Sequence, residues 1–216
     1  MDVLKIALTL VAGLTTFILL LILALASLYV LYRNRRVSKK PRKLLAVMGS
    51  GGHTMEMLQL IEYLVEQKEF QERTYLYYDE ASRKKIVSFE ENLNNKEYTM
   101  IEVPRSREVG QSYFTSIFST LKSTIVIPSL IFNENPDLLL CNGPGTCVPV
   151  TVITFFYNLF NIFDCRIVYV ESVCRVETLS LTGLILYYLR LYDAFYVQWP
   201  NLQKRYPRTD YQCRLA

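Results

Sequence analysis

The segment Gly49-Ser50-Gly51-Gly52-His53-Thr54 joins a run of glycines to the chain's only histidine. Glycines adopt positive φ without strain and let backbone N–H groups come close to an anion. Imidazole exchanges a proton near neutral pH and donates to or accepts from a hydroxyl or a phosphate. The pattern therefore predicts a diphosphate cradle built from Gly49, Ser50, Gly51, Gly52 and Thr54, with His53 as the group that moves a proton or positions the phosphate. The same residues would also make a tight turn that binds nothing. Two better-known phosphate motifs are excluded. Thr54 stands where the dinucleotide fingerprint needs its third glycine, and no Gly-Lys-Ser/Thr follows.

A second segment, Asn142-Gly143-Pro144-Gly145-Thr146, repeats the logic: two glycines flank a proline that restricts the turn, and Thr146 is placed to cap a helix. Glu171 ends a third apolar run. A carboxylate there orients a hydroxyl or serves as base, or else pairs with Arg175 or Arg105. Arg105 and Arg107, in Pro104-Arg105-Ser106-Arg107-Glu108, offer two guanidinium groups to phosphates or form a solvated charge cluster.

The elements that must carry these residues alternate. Short apolar runs at 43–48, 73–78, 98–103, 137–141, 166–170 and 194–197 read as strands. Helical periodicity falls at 54–66, 81–89, 112–132, 148–163 and 178–191, with a kink or break expected at Pro128. Strands alternating with helices indicate βαβ units and a parallel sheet, and near-continuous apolar strands indicate one covered on both faces. In such sheets ligands collect beyond the carboxyl ends of the strands. The glycine segment, Asn142–Thr146 and Glu171–Arg175 all follow strands. Helix 148–163 carries Phe155, Phe156, Tyr157, Phe160 and Phe163, for core packing or for contact with lipid.

From Ile6 to Tyr32 no residue is charged. A bilayer core of about 30 Å requires roughly 20 apolar residues in a helix. The predicted layout is a short luminal segment 1–5, a transmembrane helix 6–32, a basic linker 33–42 and one α/β domain 43–216. Arg33, Arg35, Arg36, Lys39, Lys40, Arg42 and Lys43 follow the span, which places that flank in the cytosol. The net charge of +4 belongs to this flank, leaving the domain net negative with no general nucleic-acid face. Cys141, Cys147, Cys165, Cys174 and Cys213 are dispersed, so free thiols are expected rather than a disulfide framework or a zinc site.

Five ordered blocks carry a resemblance. They are Val47–Thr54, Val103–Glu108, Leu140–Pro149, Tyr169–Glu177 and Val197–Pro200. Together they resemble the membrane-anchor subunit of the UDP-N-acetylglucosamine transferase of the dolichol-linked oligosaccharide pathway, over about residues 43–216. The resemblance implies a Rossmann-like domain similar to the acceptor-side half of a GT-B glycosyltransferase such as the bacterial lipid II-forming enzyme. It implies a soluble UDP-GlcNAc-binding catalytic subunit as partner. It also implies transfer onto dolichyl-diphosphate-GlcNAc at the cytosolic face of the endoplasmic reticulum membrane. No cofactor, metal or nucleic acid is expected for this chain. The bacterial Gly-Gly-His loop maps to Gly51-Gly52-His53, and its second-loop carboxylate to Glu171, so His53 and Glu171 are the catalytic candidates. One observation agrees independently: a GT-B enzyme needs two α/β halves, and this chain has room for one. The C-terminal stretch 199–216, with Trp199, Tyr206 and Tyr211, is the expected partner contact, since large aromatic side chains are common interface anchors. Two other readings stay open, a Rossmann oxidoreductase on a membrane stalk and a scaffold whose glycine loops bind nothing.

Overall fold

A computed structural model of the chain describes residues 2–34, 43–67, 70–94, 97–104 and 125–211. Helix α1 (Asp2–Asn34) is followed by β1 (Lys43–Val47), α2 (Gly52–Glu66), β2 (Glu72–Tyr77), α3 (Glu80–Asn92) and β3 (Tyr98–Glu102). Then come α4 (Ile125–Glu134), β4 (Leu138–Cys141), α5 (Cys147–Leu159), β5 (Arg166–Val170), α6 (Leu181–Leu189), β6 (Ala194–Tyr196) and α7 (Pro200–Arg205).

The six strands form one parallel sheet in the order β3-β2-β1-β4-β5-β6. Alternation along a strand sends successive side chains to opposite faces. Leu44 and Ala46 of β1 join Met57, Ile61 and Ile86 beneath α2 and α3. Leu45 and Val47 join Ile131, Val150 and Leu186 beneath α4, α5 and α6. Both faces are therefore dry, which is why β4 is apolar and buried throughout. The chain winds outward from β1 to β3, then returns to place β4 against β1 in register, Leu45 opposite Leu139. The connections after β1 and β4 thus leave the sheet on opposite faces, the arrangement that in open α/β sheets places ligand sites between them at the carboxyl ends.

Helix α1 is long and apolar enough to cross a bilayer, and from Gly13 its span is unburied until its last turns. There it docks on the domain. Tyr32 meets Phe155 of α5 edge to face at 5.0 Å and its hydroxyl donates to Asp193 Oδ1 at 3.2 Å. Arg33 Nη1 donates to the Tyr192 carbonyl at 2.8 Å.

Several expected boundaries move, for local reasons. Helix α5 stops at Leu159 rather than 163 because Asn161 turns left-handed and the Asn158 amide is bonded to both the N–H and the carbonyl of Cys165. Helix α6 starts at Leu181 because Ser180 caps it, accepting from Gly183 N at 3.0 Å, and ends where Arg190 adopts φ 53°. The described part of α4 is helical through Pro128 as far as Glu134; the earlier part of the 112–132 expectation lies outside the described residues. The short helix α7 went unread, although Pro200 at its first position is a usual start signal.

Candidate functional site

The loops after β1 and β4 meet at the sheet's carboxyl edge. Gly51, with φ 60°, precedes α2 and turns the chain into the helix, so His53 stands on the first helical turn. The imidazole is 37% exposed and its Nδ1 lies 3.0 Å from Asn142 Oδ1. Asn142 is wholly buried, and its Nδ2 lies 3.1 Å from Glu56 Oε2 and 3.3 Å from the Val170 carbonyl. Both of those are obligate acceptors here, so the amide nitrogen must face them and Oδ1 must face the ring. His53 Nδ1 therefore donates, and in the neutral ring Nε2 is the bare nitrogen.

The glycines serve two purposes. A Cβ on Gly49 would lie 2.4 Å from His53 Cβ, and one on Gly143 would lie 2.5 Å from His53 Cε1. Those two positions make room for the imidazole, and Gly143 also holds φ +72°. Gly51, Gly52 and Gly145 face open space. Ser50, Gly51 and Gly52 are thus the accessible rim around the α2 N-terminus, where unpaired N–H groups and the helix dipole favour an anion.

Thr54 and Thr146 are buried. Thr54 Oγ1 donates to the Gly49 carbonyl at 2.9 Å, and Ser82 Oγ reaches the same carbonyl at 2.8 Å, so Thr54 braces the loop from behind. Pro144 is buried too, its carbonyl taken by Cys147 N at 3.0 Å as the chain turns into α5.

Glu171 is held by its own loop. It is fully buried, with Oε2 accepting from Ser180 N at 2.9 Å and Ser180 Oγ at 3.0 Å, and Oε1 from Ser172 N at 3.1 Å. Burial raises its pKa above the ordinary carboxylate range, opposed by those donors. A carboxylate so engaged ties down the loop 172–180 and presents no free oxygen to the crevice. Of the two residues expected as possible Glu171 partners, Arg175 is exposed and acts on it only through its field. Arg105, like Arg107, lies outside the described residues.

The aromatic residues expected at a partner contact are used within the domain. Tyr206 is buried edge-on against Tyr187 at 5.3 Å, Trp199 Nε1 donates to the Val173 carbonyl at 2.7 Å, and Tyr211 packs on the core. Two site residues escaped sequence reasoning, Glu56 and Ser172. Ser172 Oγ donates to Glu56 Oε1 at 2.8 Å. Glu56 was legible in part, since it lies three residues after His53 and so on the same face of a helix. Ser172 was not, because nothing local announces which loop it faces. Among the described residues no three His, Cys, Asp or Glu side chains gather to hold a metal.

A family model described as "Oligosaccharide biosynthesis protein Alg14 like" matches residues 44–215. The chain belongs to the Alg14 family. It is 43% identical to the rat protein named UDP-N-acetylglucosamine transferase subunit ALG14, over 91% of this chain and 94% of that one. The human protein of the same name is 42% identical, covering 88% and 90%, and the Yarrowia lipolytica one 37% identical, covering 89% and 93%. Among solved structures, Acinetobacter baumannii MurG superposes with a TM-score of 0.54 at 15% identity. The likeness covers 81% of this chain and 45% of MurG, so this Alg14-family fold spans just under half of that molecule. The fold is that of one GT-B half carried on an apolar N-terminal helix.

Proposed function

We propose that the chain is the membrane-anchored, acceptor-side subunit of a two-subunit N-acetylglucosaminyltransferase. It recruits a soluble UDP-GlcNAc-binding catalytic subunit to the endoplasmic reticulum membrane. Together they add the second N-acetylglucosamine to dolichyl-diphosphate-GlcNAc, with α1 as anchor, the N-terminus luminal and the domain cytosolic. The observation that carries this reading is membership of a family whose relatives are named as transferase subunits, in a chain that supplies only one half of a GT-B fold.

In this reading the α2 N-terminus, with Ser50, Gly51 and Gly52, holds the acceptor diphosphate, and Arg105 and Arg107, which follow β3 in sequence, add charge. Asn142 and Gly143 keep the imidazole in place. His53 Nε2 is the general base that takes the proton of the attacking sugar hydroxyl. Glu171 acts through the loop it fixes rather than as a proton acceptor. The stalked oxidoreductase has no support at the site, since Thr54, where the fingerprint needs a glycine, is buried under Ser82.

Reconstitution tests this. The full chain in liposomes is expected to be silent with UDP-GlcNAc and lipid-diphosphate-GlcNAc, and to turn over once the soluble subunit is added. Turnover by the chain alone would overturn the split. In the assembled enzyme His53→Ala should lower kcat by about 10²–10⁴-fold, with thermal stability within about 1 kcal/mol because the ring is partly exposed. A raised KM at constant kcat would instead assign His53 to binding.

A further inference from the structure

Three strand-end loops converge on one carboxylate. Glu56 lies one turn beyond His53 on α2 and is buried. Its Oε1 accepts from Ser172 Oγ at 2.8 Å, after β5, and its Oε2 from Asn142 Nδ2 at 3.1 Å, after β4. The same Oε2 lies 3.9 Å from His53 Nδ1, after β1. A glutamine could make the same two hydrogen bonds, accepting from Asn142 and donating to Ser172 Oγ. The bonds alone therefore do not call for a charge. What the charge adds is a negative group 3.9 Å behind the bound nitrogen of a partly exposed imidazole.

We propose that Glu56 is a positioning residue for the transfer: through Asn142 it keeps the His53 proton on Nδ1, and it stabilises the imidazolium that forms when Nε2 takes a proton. The proposal rests on the reading of His53 as base. In the step itself the acceptor hydroxyl oxygen bonds to the anomeric carbon of the donor sugar. The bond from that carbon to the UDP phosphate oxygen breaks, its electron pair leaving with UDP. The hydroxyl proton passes to Nε2, so the ring becomes positive while Nδ1–H still donates to Asn142 Oδ1. Glu56 touches neither substrate; it acts through Asn142 and through its field.

The test uses the full chain assembled with its soluble subunit. Because His53 is the only histidine, ¹⁵N-histidine labelling of this chain before assembly reports one ring, and two-bond ¹H–¹⁵N couplings show which nitrogen carries the proton. Rates are normalised to assembled complex. Glu56→Gln should retain the Nδ1–H form yet lose about 10–100-fold in kcat, by analogy with the outer partners that orient metal-bound imidazoles, with both KM values unchanged. Glu56→Ala leaves the Asn142 amide only its longer 3.3 Å bond to the Val170 carbonyl, so the Nδ1–H form should lose its dominance to mixed tautomers, with a larger fall in kcat. A wild-type kcat in Glu56→Gln would remove the role of the charge, and an unmixed Nδ1–H ring in Glu56→Ala would remove the positioning. If His53→Ala keeps its kcat, the base reading itself fails. Mixed tautomers in Glu56→Ala would then still support the positioning of the ring by Glu56.

Discussion

At the residue scale the site is a chain of obligate hydrogen bonds ending in the partly exposed imidazole of His53. Val170 O and Glu56 leave Asn142 one orientation, and Asn142 leaves His53 one tautomer. Gly143 is the narrowest point. Gly143→Ala forces a side chain into φ +72° and against the imidazole, for which a destabilisation of about 1–2 kcal/mol is expected. The partly exposed ring should swing out and lose Asn142, so transfer should fall nearly as far as in His53→Ala; steady-state kinetics of the assembled enzyme check this. Glu171 carries a pH signature. Its folded pKa is raised by burial, so its contribution is fully present below the ordinary carboxylate pKa and is lost as pH rises through the folded value. Thermal unfolding across the acidic range should therefore show the wild type losing stability, relative to Glu171→Gln, as pH rises through that window. A flat difference would remove the assigned burial effect.

At the element scale, the C-terminal stretch completes the sheet. Asp210 N donates to the Phe195 carbonyl and Val197 N to the Asp210 carbonyl, while Thr209 is buried. Truncation after Tyr206 should strip these contacts and lower stability by about 2–3 kcal/mol, two hydrogen bonds plus burial. Truncation after Tyr211 should leave the melting temperature unchanged. If the last residues hold the soluble subunit, that shorter truncation releases it in co-purification while the domain stays folded. Retention would move the partner contact elsewhere. The site's own elements behave differently: α2 and α5 start where glycine segments end, so their N-termini are built into the crevice wall.

Across the whole molecule, the last turns of α1 rest on α5 and on the turn before β6 through Tyr32, Arg33, Tyr192 and Asp193. In the proposed membrane-anchored arrangement, a helix docked this way sets how the domain stands relative to the bilayer. The basic flank predicts which side that is. A glycosylation acceptor engineered after residue 43 should stay unmodified in microsomes, and one ahead of residue 6 should be modified. Efficient modification of the first would reverse the topology.

The sequence by itself determined the long uncharged N-terminal helix, the alternation of strands and helices, and the three loops worth inspecting. Each of these rests on local periodicity or on residues adjacent in the chain: an uncharged run, short apolar strands, glycines beside His53. Length left room for one α/β domain, and the resemblance of the five ordered blocks implied that this domain is a GT-B half. Tertiary structure decided what those loops do to one another. Asn142 and Ser172 reach Glu56 across 86 and 116 residues, and no local signal encodes so distant a hydrogen bond. Burial decided the rest. Glu171, Thr54 and Tyr206 have the chemistry of site or interface residues, but buried polar groups must be satisfied and a core must be filled. In this fold Ser180, Gly49 and Tyr187 are the neighbours that engage them.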